Sequence, residues 1–291
     1  MIRLSVRVAR EHAELALAEL LALDPRGVEE RELDDGSVEY SLYGAPGEVP
    51  SLPDVRAAVG PAFVDIATEE VADDWAERWT EFHRPVTISD RAGRARLRIR
   101  PPWAPSGPAG IPDVVIDPGQ AFGTGAHAST RLSLELLLDT LAPADRPPGP
   151  LCDVGCGSGV LAIAAARLGF APVVAVDHDP ECLRATRENA ARNGLALDVH
   201  RVDIREGPPP PAPTVVANLL RPLLVDLARA LRATRAAPDR LIASGLLVEE
   251  ADEVAGAFSE CLGLRELRRV ADAGWAALLL APDAVPILER G

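Results

Sequence analysis

Residues 153–159 read DVGCGSG and combine three glycines with an acidic residue, a composition suited to binding a nucleoside. Glycines so close together let backbone N–H groups approach a ligand, because no side chain intervenes. Gly155, Gly157 and Gly159 do not follow the dinucleotide-binding pattern G-x-G-x-x-G, whose third glycine position holds Val160. The spacing therefore favours a nucleoside ligand without a pyrophosphate.

Two carboxylates accompany this loop. Asp177 ends the strand-like stretch VVAVD, where a carboxylate can accept hydrogen bonds from both hydroxyls of a ribose. Asp153 precedes the glycines and is suited to hold an ammonium group, directly or through water. A nucleoside carrying an ammonium but no phosphate matches S-adenosylmethionine, which we expect as the cofactor. The alternative is that the glycines only permit tight packing of a strand against a helix.

A second glycine-containing segment, DPGQAFGTGAHASTR at 117–131, lies directly ahead of an apolar helix. It contains the hydroxyl residues Thr124, Ser129 and Thr130, which can cap a helix or bind a polar group of a ligand. Two such segments beside one pocket are difficult to explain by packing alone.

Asn218 follows a buried strand in the stretch VVANLLRP and is the catalytic candidate. An amide oxygen there can accept a hydrogen bond from a substrate amine. This bond would aim the lone pair of the amine nitrogen at a methyl group. Capping of the following helix is the alternative, and both roles are compatible. No side chain is identified as the general base, although His127 and His178 are candidates. Cys156 is interpreted as a small residue between glycines, because no His–Cys pairing is evident.

From residue 113 onward, alternating strand and helix patterns predict a mostly parallel sheet covered by helices. The last two strands are joined by a short turn without a helix, which predicts an antiparallel edge. Strands are predicted near 150–154, 172–177, 197–202, 214–218, 240–244, 265–271 and 275–281, and helices over 128–141, 159–168, 180–193, 221–233 and 248–261.

The first part of the chain predicts a smaller domain over 1–68. Its pattern has the order β-α-β-β-α-β, with Asp35-Gly36 as a hairpin signal, and this order is typical of a ferredoxin-like domain. Residues 69–112 are expected to form an interdomain linker with a short helix in DDWAERWTEF. The catalytic domain is expected over 113–291.

Composition limits the partners of this 291-residue chain. With 30 Lys and Arg against 44 Asp and Glu, the net charge is −14, which is compatible with a basic partner and argues against direct nucleic-acid binding. Solubility alone is an equally weighted explanation of the acidity. The four cysteines lack zinc-site spacing, so no metal is expected, and a reduced cytoplasmic protein fits best. Neither a signal peptide nor a membrane span is expected, and we expect a monomer.

Several motifs together resemble PrmA, the ribosomal protein L11 methyltransferase family, over nearly the whole chain. They are DPGQAFGTGAHASTR, DVGCGSGVLAIAA, VDHDPECLRATRENAARNG, ANLL, the linker stretch DWAERWTEFHRPVTIS and the Pro-Pro-Trp at 101–103. The resemblance implies a Rossmann-like class I S-adenosylmethionine-dependent methyltransferase domain, with a seven-stranded sheet and an antiparallel last strand. A small ferredoxin-like α+β domain for substrate recognition precedes it.

The resemblance also implies roles for individual residues. Thr130, Gly155, Asp177 and Asn218 would contact the cofactor, together with Asp153 and Gly157, and Phe122, Gly123 and Thr124 would lie in a loop closing over it. The substrate would be the basic ribosomal protein L11, methylated on lysine side-chain and N-terminal amines. One departure from the family, the Asn-Leu-Leu-Arg-Pro run, puts Arg221 near the mouth of the site.

Other functions remain as alternatives at this point. A protein lysine methyltransferase with a non-ribosomal target is the closest of them. A nicotinamide-dependent oxidoreductase is disfavoured by the glycine spacing. A non-catalytic interaction protein is disfavoured because the acidic residues, the glycines and Asn218 are all present.

Overall fold

The computed structural model describes residues 2–13, 16–17, 20, 28–33, 35–44, 55–56, 60, 63–70, 84–118, 125–141, 148–234 and 237–283. The chain divides into two compact units, Met1–Phe82 and His83–Gly291. This division differs from the expected linker over 69–112. Residues 84–112 of the expected linker belong to the larger unit, because alternate apolar residues such as Leu97 and Ile99 are buried in that unit's core. The short helix expected in DDWAERWTEF lies outside the described residues.

The first unit contains a four-stranded sheet in the order β2-β3-β1-β4. Every pair of neighbouring strands in this sheet is antiparallel. The strand order and these directions are those of a ferredoxin-like domain and agree with the expected fold. The predicted hairpin joins β2 to β3, and Ser37 donates hydrogen bonds to Asp35 in its turn. The strands are β1 Ile2–Val8, β2 Val28–Glu32, β3 Val38–Gly44 and β4 Phe63–Glu70.

The second unit contains a seven-stranded sheet in the order β10-β9-β8-β11-β12-β14-β13. A smaller sheet in the order β5-β6-β7 packs onto one of its faces. No helix in the described ranges is both long enough and apolar enough to cross a membrane. The strands are β5 Val86–Ser89, β6 Ala95–Arg100, β7 Asp113–Val115, β8 Leu151–Val154, β9 Val173–Asp177, β10 Asp198–Arg201, β11 Thr214–Asn218, β12 Arg240–Leu247, β13 Leu264–Asp272 and β14 Trp275–Pro282.

The last strand is antiparallel as expected, and the predicted hairpin of the last two strands lies at one end of the sheet, with β13 as the edge strand. Strand β14 lies between β12 and β13 and runs antiparallel to both. The reason is visible in burial: β14 is buried along nearly its whole length, whereas β13 is rich in arginine and largely accessible. An apolar strand gains more from an interior position, and a charged strand is suited to an edge.

Alternating side chains cover the two faces of the large sheet with separate apolar layers. On β14, Ala277 and Leu279 face the layer of α1, α2, α3 and the small sheet, while Leu278 and Leu280 face α4 and α5. The sheet is therefore covered on both faces, as a parallel sheet requires. The helices are α1 Ala128–Asp139, α2 Val160–Arg167, α3 Pro180–Arg192, α4 Arg221–Thr234 and α5 Ala251–Leu262.

The order of the strands defines where a ligand can bind. Strand β8 lies between β9 and β11, so the chain proceeds outward to one side from β8 and later returns to start β11 on the other side. The carboxyl ends of these parallel strands form a crevice at such a switch point. Asp153, Asp177 and Asn218 all lie at this edge of the sheet.

Candidate active site

The glycine loop after β8 is held against the end of β9. Backbone N–H groups of Gly155 and Cys156 donate to the carbonyl oxygen of Val176, at 2.8 and 3.0 Å. Gly155 has a φ of +77°, and a Cβ atom built on it would meet the side chain of Leu219, the residue that follows Asn218. Because L side chains rarely adopt this φ, the position favours glycine.

Asp153 is fully buried at the base of this loop. Its Oδ2 accepts a hydrogen bond from the Ala162 N–H at 3.0 Å. Its Oδ1 has no hydrogen-bond partner among the described residues. Burial raises the pKa of the Asp153 carboxyl to about 7; the Ala162 N–H opposes this rise, and the charge of Asp177 adds to it. A positively charged donor at Oδ1 would satisfy the oxygen and favour the ionised form.

Asp177 is nearly buried and organises the loop. Its Oδ2 accepts from the N–H of Gly157 at 3.0 Å, and its Oδ1 accepts from the N–H of Asp179 at 3.1 Å. The exposed His178 places Nδ1 3.3 Å from Asp177 Oδ1. An ionised carboxylate has about four acceptor positions, so two backbone donors leave capacity for ligand hydroxyls.

Thr130 and Asn218 meet in the site although 87 residues lie between them in the chain. The Asn218 Nδ2 donates to Thr130 Oγ1 at 3.3 Å. The Asn218 Oδ1 is shut off from solvent and has no hydrogen-bond partner in the described part of the chain. The amide therefore does not cap α4, which was the alternative interpretation of this residue. Thr130, expected as a cofactor contact, also holds the Asn218 amide by its hydroxyl.

Close backbone approach also shapes the surroundings of Asn218. Gly245, at a bulge of β12, has a φ of +80°, and a Cβ atom there would lie 2.7 Å from the carbonyl oxygen of Leu219. The same Cβ would lie 2.8 Å from Asn218 Oδ1. A side chain at this position would displace the backbone that carries the catalytic candidate.

His127, one of the two general-base candidates, caps helix α1. Its Nδ1 accepts from the Ser129 N–H at 3.3 Å and lies 2.8 Å from Ser129 Oγ. The ring packs edge-on against Trp275, with centroids 4.8 Å apart. Burial lowers the His127 pKa, and the nearby Arg131 charge lowers it further. An accepting, neutral imidazole fixes the start of the helix that carries Thr130.

Cys156 is unsuited to nucleophilic chemistry. Burial raises the pKa of its thiol, and the Asp153 charge raises it further. Its sulfur lies 3.2 Å from the Thr186 hydroxyl. All four cysteines are free, and the described residues include no cluster of metal-binding side chains.

The structure brings together Asp153, Gly155, Gly157, Asp177, Thr130 and Asn218. The predicted lid residues Phe122, Gly123 and Thr124 lie outside the described residues. Arg221 forms ion pairs with Glu250 and Glu253, at 3.1 and 2.8 Å.

Sequence reasoning missed a set of buried polar side chains on α3, namely Thr186, Asn189 and Asn193. They recur on one face of a helix whose neighbours on that face are apolar. That spacing was the available signal. Their bonds reach the glycine loop, Val115 at the end of β7, and Asp117, the first residue of 117–131.

Comparisons with known proteins agree with this geometry. Residues 56–282 match the family model described as "Ribosomal protein L11 methyltransferase (PrmA)". A protein of that name from Symbiobacterium thermophilum is 37% identical over 223 residues, which is 76% of this chain and 69% of the relative. One from Burkholderia vietnamiensis is 33% identical over 94% of this chain and 96% of its own length.

A solved structure is also similar to this chain. The ribosomal protein L11 methylase from Lactobacillus delbrueckii subsp. bulgaricus superposes with a TM-score of 0.57 at 29% identity. The match covers 64% of this chain and 95% of that one.

Proposed function

We propose that this chain, which belongs to the ribosomal protein L11 methyltransferase (PrmA) family, methylates lysine side-chain and N-terminal amines of ribosomal protein L11. Its family and fold make it an S-adenosylmethionine-dependent protein methyltransferase. One observation carries the proposal. In the described part of the second unit, the buried side-chain acceptors without a partner are Asp153 Oδ1 and Asn218 Oδ1, and both lie in this site.

The residues present fit the cofactor. Asp153 supplies an unsatisfied buried oxygen for the ammonium, directly or through water, and Asp177 retains acceptor capacity for the ribose hydroxyls. Gly155 and Gly157 keep the loop free of side chains, so that its backbone can line the pocket. Thr130 contributes to the same wall, and Phe122, Gly123 and Thr124 are proposed to close over it. When bound, S-adenosylmethionine supplies an already activated methyl group.

The chain's own contribution is alignment and exclusion of water. Asn218 Oδ1 accepts a hydrogen bond from the incoming amine and fixes the direction of its lone pair. The bond from Asn218 Nδ2 to Thr130 holds the amide in this orientation. A lysine amine must be neutral to attack, and its reference pKa is about 10.4. Burial at the sheet edge disfavours the ammonium form and lowers that pKa.

Charge supports the proposed substrate. A net charge of −14 complements a basic ribosomal protein and disfavours direct binding of nucleic acid. The proposal takes the enzyme to be a cytoplasmic monomer, in which residues 1–68 recognise the substrate and residues 113–291 carry out catalysis. Four free cysteines are consistent with a reducing compartment.

Intact-mass spectrometry of purified ribosomal protein L11, after incubation with this enzyme and S-adenosylmethionine, tests the proposal. We expect mass steps of one methyl group each, absent with Asn218→Ala and retained with the surface control Arg184→Ala. Calorimetry with S-adenosylhomocysteine confirms that the Asn218 variant still binds cofactor. Unchanged L11 mass beside normal cofactor binding would move the target to another protein and overturn the ribosomal assignment.

A further inference from the structure

Helix α3 and its C-terminal cap residue carry a buried polar stripe consisting of Thr186, Asn189 and the cap, Asn193. The three are 0%, 2% and 5% exposed. Their spacing places them on one helix face, which lies against the glycine loop and the segment that follows β7. Buried polar groups are costly unless they form hydrogen bonds. The partners of this stripe therefore reveal what the stripe holds in place.

Asn189 joins two separate segments with a single amide. Its Nδ2 donates to the carbonyl oxygen of Ser158 at 2.9 Å, in the DVGCGSG loop. Its Oδ1 accepts from the N–H of Asp117 at 3.0 Å, at the first residue of DPGQAFGTGAHASTR. Both stretches contain residues assigned to the cofactor site. The side chain is thus a direct link between the two glycine-containing segments.

The other two members of the stripe each hold one segment. Thr186 Oγ1 donates to the carbonyl oxygen of Gly157 at 2.9 Å. Asn193 accepts from the Val115 N–H at 2.9 Å and donates to the Val115 carbonyl oxygen at 2.7 Å. Val115 is also held by strand pairing, because it lies opposite Arg100 in β6. Asn193 therefore reinforces a strand end that the small sheet already fixes.

Asp117 lies just beyond that strand pairing. Its side chain forms an ion pair with Arg192 at 3.0 Å, and both side chains are about 40% exposed. Exposed pairs of this kind contribute little to stability. The partly buried bond to the Asn189 amide is consequently the stronger restraint on the position of Asp117 relative to the glycine loop.

We propose that Asn189 is a positioning residue that couples the DVGCGSG loop to Asp117, directly after β7, so that cofactor binding stabilises both together. The proposal rests on the cofactor site of the proposed function. Without this link, a ligand contacting the glycine loop must itself fix the position of that loop, and that entropy cost weakens its binding.

Calorimetry with S-adenosylhomocysteine on Asn189→Ala and Asn193→Ala tests the coupling, at a temperature where both variants are folded. Each variant loses two hydrogen bonds from a buried amide to segments outside α3, so the two should have similarly lowered melting temperatures. We expect Asn189→Ala to weaken binding about tenfold or more, and Asn193→Ala about threefold or less. Equal effects on affinity would reduce Asn189 to a structural residue and overturn the proposal.

Hydrogen exchange with mass spectrometry provides a readout of coupling itself. In the wild type, S-adenosylhomocysteine should protect peptides containing Val115–Asp117 as well as those containing 153–159. In Asn189→Ala, protection should remain at 153–159 and be lost at Val115–Asp117. Retained protection at both would contradict the coupling.

The variant Asn189→Asp separates the two bonds and covers the case in which the alanine variant fails to fold. An aspartate keeps the acceptor for the Asp117 N–H but cannot donate to the Ser158 carbonyl when ionised. We expect it to behave like the alanine variant in both assays, and wild-type behaviour would refute the link. A wild-type chain that binds no S-adenosylhomocysteine would overturn the proposed function itself, and the inference with it.

Discussion

The buried carboxyl of Asp153 predicts that cofactor affinity depends on pH. The pKa of this group is raised to about 7 from a reference of 3.8, mainly by burial. An ammonium donor at the unpartnered Oδ1 requires the ionised form, so binding must displace a proton from the carboxyl at low pH. In the unliganded chain, low pH has the opposite effect on the stability of the fold. The protonated form is favoured by folding, so the contribution of this group to stability rises as pH falls through about 7 toward 3.8.

The magnitude follows from the fraction of ionised Asp153. With a pKa of about 7, that fraction is about one half at pH 7, about one tenth at pH 6 and about one hundredth at pH 5. The ligand's α-amino group, with a reference pKa of about 7.7–8.0, stays mostly protonated over this range. Affinity for S-adenosylhomocysteine should therefore fall about fivefold from pH 7 to pH 6 and about tenfold more by pH 5.

Isothermal titration calorimetry in buffers of different ionisation enthalpy measures both the affinity and the number of protons released. We expect close to one proton released at pH 6. The matched control is Asp153→Asn, which keeps the shape of the side chain without a titratable group, and it should bind weakly with little dependence on pH. A wild-type affinity that is flat between pH 7 and pH 5, or a slope that survives in Asp153→Asn, would refute the reasoning.

Three further predictions concern single side chains. Asn218→Ala should lower the rate of methyl transfer about hundredfold through lost alignment, while S-adenosylhomocysteine binding changes only a few-fold; an unaffected rate in single-turnover mass spectrometry would exclude Asn218 from catalysis. Gly155→Ala should destabilise the chain by at least about 1–2 kcal/mol in denaturant unfolding, because its φ is +77° and its Cβ would meet Leu219, whereas Gly207→Ala, where a Cβ meets nothing, serves as the control. Because the His127 pKa is lowered in the folded chain, its stabilising effect is present above the ordinary value of 6.5 and declines as pH falls below it. His127→Asn should retain the cap and lose that part of the decline, as measured by unfolding at pH 7 and pH 5.5.

The glycine loops and the alternating strand and helix patterns were predictable, because each depends on residues that are close together in the sequence. The spacing of Gly155 and Gly157, and the position of Asp177 at a strand end, predict a nucleoside site without knowledge of the contacts. The strand patterns predicted seven strands in the second part of the chain, and the seven-stranded sheet agrees with that prediction. The position of β14 was not predictable from a hairpin signal, since the turn specifies only the pairing of β14 with β13. Its insertion beside β12 depends on long-range burial of an apolar strand.

The polar residues of the site were the least predictable. Asn189 and Asn193 occur in ENAARN, a stretch that resembles the solvated face of a helix, because asparagine is mostly exposed in proteins. Their burial depends on other segments that pack against α3 and offer backbone groups as hydrogen-bond partners. The bond between Thr130 and Asn218 likewise joins residues whose proximity depends on the assembled sheet. At the start of α1, hydroxyl residues were expected to cap the helix, but the preceding imidazole does so.

The interior position of β14 also has a consequence for the synthesis of the protein. Strand β13 pairs with the sheet through β14, so when β13 leaves the ribosome it has no strand to pair with. Strand β12 meanwhile keeps an open edge, and the apolar layer facing α4 and α5 lacks Ala276, Leu278 and Leu280. Exposed edges and apolar surface of this kind invite misassembly. The larger unit must therefore complete its core late, after Pro282 has emerged, and a chain stalled before Trp275 would be a target for chaperones.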